Sequence, residues 1–578
     1  MNLFKKRAFS NIVIAIFLVI ITMVNFSHHK YKSKEGVIDW DIKSYYAYLP
    51  ATFIYHDLSL GFLDHNEHDM GKWIWPVSTP TGKRAILTTM GLSFLYAPFF
   101  LVGHIAALLL PQYEATGYSL PYHITLQFSV LVYFLISLIV LRKILSRYFE
   151  DKVVALTLFT IGAGTNLFYY LTYSAPMTHG YNFFLIVLFI YFLEKWHNRI
   201  NWKYTICLGL VSGLVTLIRP TNILVLLLIP LWHISTWNEF KDQVIRLLKY
   251  WPYIGLMAGV FILVWVPQFV YWKYVSDKFF YFSYGERGDQ FYWENPQIWK
   301  ILFSYEKGWF VYTPLMFVVF FGFKSLKKLK INLSLPIIIY LTIMIYVLAS
   351  WWCWWYGGSF GQRSFVDFYG LMAIPLGAVI HTSLQRKYLK YVFPLFLFVL
   401  IAFNQFNIQQ FNRMAISYWW MNKEGYWENF LKLHPTCKYW NVAMHPDYDK
   451  ARLGIYEAVA PFNRAQVVTD EMLVDRIVND NKNNSVLLDS LQVYTPDIIE
   501  PDSVLLNNYA RLVVTNELAE SYFKEIKIDY YYNQINNCED WKRQVDKKAQ
   551  KRELSYEKMA KMEAERIYKN YSQKYDQR

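Results

Sequence analysis

The residues that decide the fold are Asn11–Phe26, NIVIAIFLVIITMVNF, and the segment 39–57 that follows them, DWDIKSYYAYLPATFIYHD. The first stretch is apolar and uncharged, and with its flanks it reaches the roughly twenty residues that a helix needs to cross a bilayer. A basic run at 5–7 precedes it, and no small-residue cleavage site follows it. We therefore expect an uncleaved first span with a cytoplasmic N-terminus. The acidic tripeptide Asp39-Trp40-Asp41 then lies just outside that span.

The composition indicates a helical membrane protein with many spans. Of the 578 residues, 54% are hydrophobic, 19% are aromatic and only 18% are charged. Charged residues lie between the apolar runs, whereas an outer-membrane barrel would show short alternating strands. The net charge is +14, but the basic residues cluster in short loops between spans, which is the pattern of cytoplasmic loops. This placement argues against nucleic acid as a partner.

The fold class that we predict is an all-α polytopic membrane protein with about eleven transmembrane helices and additional outer juxtamembrane helices. The predicted spans lie near 9–26, 120–141, 153–173, 178–195, 203–218, 221–236, 252–274, 308–323, 333–350, 366–383 and 390–406. A further apolar stretch, Ala85–Leu110, is long enough to cross. If it lies against the outer face instead, the five later basic loops all fall on the cytoplasmic side. We therefore predict a juxtamembrane or re-entrant helix that lies against the outer face, which makes 27–119 and 275–307 long outer loops of a transmembrane domain spanning 1–406.

The last part of the chain, 407–578, has a different composition. Apolar runs stop there and charged residues become frequent, so we predict a small extracytoplasmic α+β domain ending in a charged, exposed helix. Short strands are predicted at Val486–Leu488, Leu491–Tyr494, Val504–Leu506 and Arg511–Val514. The four cysteines have no metal-binding spacing, and Cys437 and Cys538 either pair in this domain or stay as free thiols.

Asp41 and Asp39 are the candidate catalytic residues. A carboxylate beside a membrane face is costly unless it is solvated or paired, and it often marks chemistry. Residues 41–57 have apolar and aromatic side chains at helical spacing, so an interfacial helix would begin at Asp41. Asp41 would serve there as a general base, as a helix cap, or as both. Asp57 is a further candidate ligand, and the acidic, His-rich stretch 64–69 is more readily a solvated loop than a metal site.

Basic residues at the outer ends of spans are candidates for binding an anionic substrate. Arg219 closes a span before Pro220, and Arg363 ends the Gly-rich segment 357–363, GGSFGQR. Lys307 and Arg287 lie in the second long outer loop, and Lys83 and Arg84 precede the juxtamembrane stretch. An Arg at such a position either snorkels to the interface or forms a bidentate contact with phosphate.

These residues resemble those of the GT-C superfamily of integral membrane glycosyltransferases, which includes protein O-mannosyltransferases and the lipid A aminoarabinose transferase. The pattern is a first span, then an outer acidic residue with a Tyr pair, then a basic pair before a second juxtamembrane helix. The matching residues are Asp41, Tyr45, Tyr46, Lys83 and Arg84, together with the LIRP, YEKG and GGSFGQR segments. The resemblance covers about residues 1–405. In this family the two acidic residues are often adjacent, whereas Trp40 separates them here, and we favour Asp41 because it is nearer the Tyr pair.

The resemblance implies a sugar donor linked to a polyprenyl phosphate, an inverting transfer at the outer face of the cytoplasmic membrane, and a lipid, glycan or protein acceptor. Asp41 would deprotonate the acceptor, and Arg219, Arg363 or Lys307 would stabilise the leaving phosphate. No cofactor is implied with certainty, and a divalent metal is possible. The alternatives are a transporter or flippase of lipid-linked glycans, for which paired broken helices are expected, and a polymerase or ligase of surface polysaccharide.

Overall fold

The computed structural model describes residues 8–33, 36–65, 73–436, 439, 442–459, 474–488, 506–507, 509–510 and 520–575. The chain divides into two compact units. The first unit comprises Met1–Gln409 and Tyr448–Ile455, and the second comprises Gln410–Asp447 and Tyr456–Arg578. Helices dominate the described residues, as the composition predicts.

The long segment of the first unit consists mainly of α-helices, the last of which extends beyond Gln409 to Asn412. They are α1 Ala8–Ser27, α2 Asp41–Phe53, α3 Gly91–Leu109, α4 Leu120–Leu145, α5 Asp151–Ala163, α6 Leu167–Leu171, α7 Thr178–Asn198, α8 Trp202–Ile218, α9 Leu228–Leu231, α10 Trp237–Lys249, α11 Trp251–Ser276, α12 Ile298–Phe303, α13 Trp309–Tyr312, α14 Leu315–Lys328, α15 Ser334–Ala349, α16 Tyr369–Leu384 and α17 Leu389–Asn412. Short 3-10 helices lie at Lys30–Lys32, Gly61–His65, Pro220–Leu227, Gly285–Arg287 and Arg363–Phe368.

Within the described residues, 6 helical segments are long and apolar enough to cross a membrane: Ala8–Lys32, Gly91–Leu109, Leu120–Leu145, Trp251–Ser276, Arg363–Leu384 and Leu389–Asn412. Five of these coincide with predicted spans, so a polytopic helical membrane protein is confirmed. The number eleven stays a prediction, because several predicted spans are shorter helices. The predicted span 221–236, for example, is the 3-10 helix Pro220–Leu227 followed by the short α9.

Helix α3 is the segment that we predicted to lie outside the membrane, although its length and hydropathy suit a span. Two contacts align α1 antiparallel to α4, since Arg142 donates to Asn11 at one end and Gln127 donates to Asn25 at the other. Gly103 of α3 lies against the first turn of α4, and the carbonyl of Leu95 accepts a hydrogen bond of 2.9 Å from the Tyr133 hydroxyl. Helix α3 thus packs along α4 from its first turn to its middle, and the position of α3 at the outer face stays a prediction.

A two-stranded antiparallel hairpin leads into α3. Strands β1 (Pro76–Ser78) and β2 (Arg84–Ile86) pair Val77 with Ala85. The Thr79 hydroxyl donates to the carbonyl of Val275 at 2.7 Å, which ties the hairpin to the end of α11. Gly91 then begins α3 in close packing, because a side chain there would come within 2.4 Å of the Leu217 backbone. The entry to α3 is thereby fixed beside the end of α8.

The second unit contains α18 Lys423–Glu428, a pairing of β3 (His445–Pro446) with β4 (Ala458–Val459), and three longer helices. The longer helices are α20 Glu520–Asn537, α21 Glu539–Lys551 and α22 Tyr556–Tyr575. Ile535, Trp541, Val545 and Ala564 are among the buried residues of their shared core. The prediction of an exposed terminal helix was therefore wrong, since a narrow apolar stripe packs this part of the chain into a helical bundle.

Two further predictions for the tail have separate outcomes. The predicted strand Val486–Leu488 is wrong, because residues 485–488 are helical and Asn484 caps them by accepting from the Leu487 N–H at 3.2 Å. The other predicted strands lie wholly or mostly outside the described residues. Cys538 is buried in the helical core, but Cys437 lies outside the described residues, so their pairing stays open.

Candidate active site

The candidate active site is a cluster of charged side chains at the first turn of α2. The Asp41 carboxylate lies 3.0 Å from the guanidinium of Arg363, between Oδ2 and Nη2. The Asp41 side chain is 45% exposed and that of Arg363 is 17% exposed. One partner is therefore open to solvent while the other is held inside the protein.

Asp367 lies four residues after Arg363, in the same 3-10 helix, and it organises the buried side of the cluster. Its carboxylate is completely buried and lies 3.1 Å from Nη1 of Arg219. It also accepts hydrogen bonds from Asn182 at 2.9 Å and from Asn222 at 3.2 Å, and it lies 2.9 Å from Nδ1 of His179. These contacts supply the partners that a buried carboxylate requires, so Asp367 fixes Arg219 in place.

Lys307 is the third cation of the cluster, and it is buried in a tight turn before α13. Its ammonium group donates to the carbonyl of Ser359. The next residue must be glycine, because a Cβ at Gly308 would lie 2.4 Å from the carbonyl oxygen of Ser304. Burial, with a further contribution from the positive charge of Arg363, lowers the pKa of Lys307 to about 7. This lysine can therefore change its charge near neutral pH.

Aromatic side chains enclose the charged groups. Tyr45 is buried, and its pKa is raised first by burial and then by the Asp41 carboxylate, an effect that Arg219 and Arg363 oppose. Burial, followed by Tyr45 and Asp41, raises the pKa of Tyr284 well above its usual value. The Tyr356 ring lies 5.6 Å from the guanidinium carbon of Arg219. The cluster thus combines charge with aromatic walls.

Two residues of the site have backbone conformations that side chains other than glycine rarely adopt. Trp40, directly before Asp41, has a φ of 47°, and Tyr356, beside Arg219, has a φ of 58°. Such conformations cost free energy and persist only where the surrounding structure enforces them. They are typical of functional sites, and here both occur next to charged residues of the cluster.

The structure brings together five of the residues that the sequence singled out: Asp41, Tyr45, Arg219, Lys307 and Arg363. All of them belong to the first unit. Asp41 and Arg363 are in direct contact within this unit. Asp39 instead accepts from the Trp40 N–H at 2.8 Å and lies 3.9 Å from Lys43. The two carboxylates thus have different partners, and the choice of Asp41 over Asp39 as the catalytic residue stays a prediction.

The other predicted ligands have different partners. Tyr46 is buried and donates to the carbonyl of Gly117 at 2.6 Å, and Asp57 accepts from the N–H groups of Ser59 and Gly61 in a turn. The remaining basic residues have local contacts of their own. Lys83 donates to the Tyr274 carbonyl at 3.0 Å, Arg84 pairs with Asp64 at 2.5 Å, and Arg287 is exposed at the end of its 3-10 helix.

Sequence reasoning missed Asp367, and it gave Tyr284 no role. Asp367 was counted as part of the predicted span 366–383. A carboxylate inside an apolar run is itself a functional signal, because it has to be paired there. His179 was given no role either, although it lies against the Asp367 carboxylate.

No metal site is evident among the described residues, where no three side chains of His, Cys, Asp or Glu come together as a metal would need. The carboxylates of Asp41 and Asp367 are directed to arginines instead. The side chains of residues 65–69, in the acidic stretch, lie outside the described set. We therefore derive no step through a metal.

Comparison with known proteins gives structural neighbours only. No protein-family model and no curated protein sequence matches the chain. The structure is similar to archaeal oligosaccharyltransferase AglB from Archaeoglobus fulgidus in its apo form, with a TM-score of 0.41, 12% identity and coverage of 74% of this chain and 60% of that one. The same enzyme in complex with an inhibitory peptide and a dolichol-phosphate gives a TM-score of 0.41, 12% identity and coverage of 86% and 60%.

A third similar structure is that of the same oligosaccharyltransferase with Zn and sulfate, at a TM-score of 0.39 and 12% identity. It covers 73% of this chain and 57% of that one. The chain thus spans between 57% and 60% of the length of these structures. These neighbours belong to the GT-C superfamily that the sequence resembles.

Proposed function

We propose that this protein is a glycosyltransferase that moves a sugar from a polyprenyl-phosphate donor to an acceptor at the outer face of the cytoplasmic membrane. The observation that carries the proposal is the contact between Asp41 and Arg363. It joins a solvent-open carboxylate, suited to an incoming acceptor, to a set of enclosed cations suited to a phosphate.

The acceptor side of the reaction belongs to Asp41. Since this side chain is 45% exposed, an acceptor hydroxyl or amine can reach it directly. As the acceptor attacks the anomeric carbon, its proton passes to the Asp41 carboxylate. A bond forms between the acceptor and the sugar, and the bond between the sugar and the phosphate oxygen breaks. General-base assistance of this kind typically contributes about 10²- to 10⁴-fold to the rate.

The donor side belongs to Arg363, Arg219 and Lys307. The electron pair of the broken bond stays on the phosphate, whose growing charge these cations stabilise. Arginine presents a planar fork of donors that matches phosphate oxygens. Because the phosphate is already a good leaving group, a second carboxylic acid is not required, in contrast to a glycosidase. Attack from the face opposite the phosphate inverts the anomeric centre.

The position of the cluster suits a lipid-linked donor. Just before Tyr284, the loop after α11 presents three exposed aromatic side chains: Phe279 at 63%, Phe280 at 74% and Phe282 at 56%. Exposed apolar side chains that lie close together are typical of surfaces that contact a membrane or another apolar partner. A lipid tail would lie in the bilayer beside this loop while its phosphate reaches the cations.

The experiment that tests this proposal is mass analysis of cell-envelope glycans and glycoproteins from cells with and without the protein. We expect one lipid-, glycan- or protein-linked sugar to disappear without the protein, and its polyprenyl-phosphate donor to accumulate on the outer leaflet. Accumulation on the inner leaflet would instead indicate a flippase, and an unchanged sugar profile would refute a transferase.

A further inference from the structure

One short segment of the C-terminal tail belongs to the unit that carries the active site. The chain leaves the first unit after Gln409 and returns to it for Tyr448–Ile455 before leaving again. This returning segment includes the short helix α19, Tyr448–Arg452. Its contacts reach two loops of the candidate site, the loop at 282–292 and the loop at 351–358.

Arg452 contacts the first of these loops through a partly buried ion pair. Its Nε lies 3.1 Å from the carboxylate of Asp289, whose side chain is 5% exposed. The Asp289 N–H in turn donates to the carbonyl of Tyr284 at 3.2 Å. The pKa of Tyr284 is raised by burial and then by Tyr45 and Asp41, which places its hydroxyl in the neighbourhood of Asp41. Arg452 is therefore connected to the wall of the site beside the proposed base.

Arg452 contacts the second loop through aromatic side chains. Its guanidinium carbon lies 4.8 Å from the centre of the Trp352 ring. The Tyr448 ring packs at 6.0 Å from the Trp352 ring and at 5.7 Å from the Trp355 ring. The next residue, Tyr356, lies beside Arg219.

The two loops are also joined to each other. The Trp352 N–H donates to the carbonyl of Gln290 at 3.0 Å. The Tyr292 hydroxyl of the first loop also donates to the carbonyl of Arg452, in the returning segment. The returning segment thus packs over a junction between two loops that approach the charged cluster from different parts of the chain.

We propose that Arg452 is a positioning residue of the active site, and that Tyr448–Ile455 holds the loops bearing Tyr284 and Tyr356 in the arrangement that the charged cluster needs. The catalytic part of this statement rests on the proposed glycosyltransferase function. Removing the guanidinium leaves Asp289 buried without that cation, which favours local opening of both loops. A lysine at this position would keep the charge but lose the planar stacking on Trp352.

Cys353 offers a readout that does not depend on activity. It lies in the second loop, is buried, and has a pKa raised to about 12 chiefly by that burial. A buried thiol of this kind reacts slowly until its loop opens. In a full-length chain with Cys207, Cys437 and Cys538 replaced by Ala, the rate of maleimide labelling therefore measures opening at this place.

The test compares Arg452→Ala and Arg452→Lys with Asp449→Asn as the matched control. Asp449 is a second carboxylate at Arg452, 3.2 Å from its Nη1, but its side chain is 97% exposed. We expect Arg452→Ala to speed Cys353 labelling by about tenfold or more, Arg452→Lys to have a smaller effect, and Asp449→Asn to leave the rate near that of the parent.

In the transfer assay we expect Arg452→Ala to lower kcat more than it changes the KM of the donor, with partial rescue in Arg452→Lys. Labelling of Arg452→Ala at the parent rate would overturn the inference. If the parent protein transfers no sugar, the proposed function fails, while the labelling rates still decide whether the segment holds the loops.

Discussion

The buried carboxylate of Asp367 allows a quantitative prediction for the replacement Asp367→Ala. The side chain is 0% exposed, and its partners include Arg219, His179, Asn182 and Asn222. Removing it leaves Arg219, only 15% exposed, without this ion pair. Loss of one partner of a buried pair typically costs about 3–5 kcal/mol. Rate should also fall, because Arg219 is no longer held in the cluster.

The assay for this prediction is SDS-induced unfolding in mixed micelles, with Asp277→Asn as the control. Asp277 also forms an ion pair, at 2.6 Å from Lys273, but its side chain is 78% exposed. Exposed pairs contribute little to stability, and Asn tolerates the left-handed backbone at this position. If Asp367→Ala lowers the free energy of unfolding no more than Asp277→Asn does, our account of the cluster as a buried, mutually supporting set is refuted.

The turn that holds Lys307 gives two more predictions. The pKa of Lys307 is lowered to about 7, so its ammonium form is present below that pH and is lost above it. The KM of the phosphate donor should therefore rise as the pH increases from about 7 towards about 9. Lys307→Arg should flatten this rise, because arginine keeps its charge over that range. Gly308→Ala should reduce folded yield and transfer, since its Cβ would lie 2.4 Å from a backbone oxygen, whereas Gly259→Ala, with no atom within 4 Å, should be neutral. Equal yields from the two Ala variants would contradict our description of the turn.

Much of the membrane fold follows from the sequence because hydropathy and charge act locally. The spans at Ala8–Lys32 and Leu120–Leu145 are long apolar runs bounded by polar residues, which a single sequence shows directly. The tail is different, since its helices α21 and α22 have narrow apolar stripes that become meaningful only when they pack together. Trp541, Val545 and Ala549 lie four residues apart and are all buried.

The sequence indicated several of the residues that belong to the site, but it did not indicate which of them form pairs. A carboxylate after the first span and an Arg at a Pro-broken helix end are costly features that indicate function, and Asp41 and Arg219 do meet in one cluster. Asp41 pairs with Arg363, and Arg219 pairs with Asp367. The partners in each pair lie far apart in sequence, so sequence spacing does not reveal these contacts. Tyr45 and Tyr46 show a second limit. Adjacent residues on a helix point about 100° apart, so Tyr45 lies at the cluster while Tyr46 packs against Phe100 and Tyr118.

Sugar transfer by purified protein carrying Asp41→Asn, measured beside Asp39→Asn, is the most direct test of a catalytic base at this cluster. The substrates are the polyprenyl-phosphate donor and the acceptor identified from the envelope analysis. We expect Asp41→Asn to insert normally and to lose about 10²- to 10⁴-fold in kcat, while Asp39→Asn stays close to the parent. Transfer by Asp41→Asn at the parent rate would remove Asp41 from the mechanism and contradict the account.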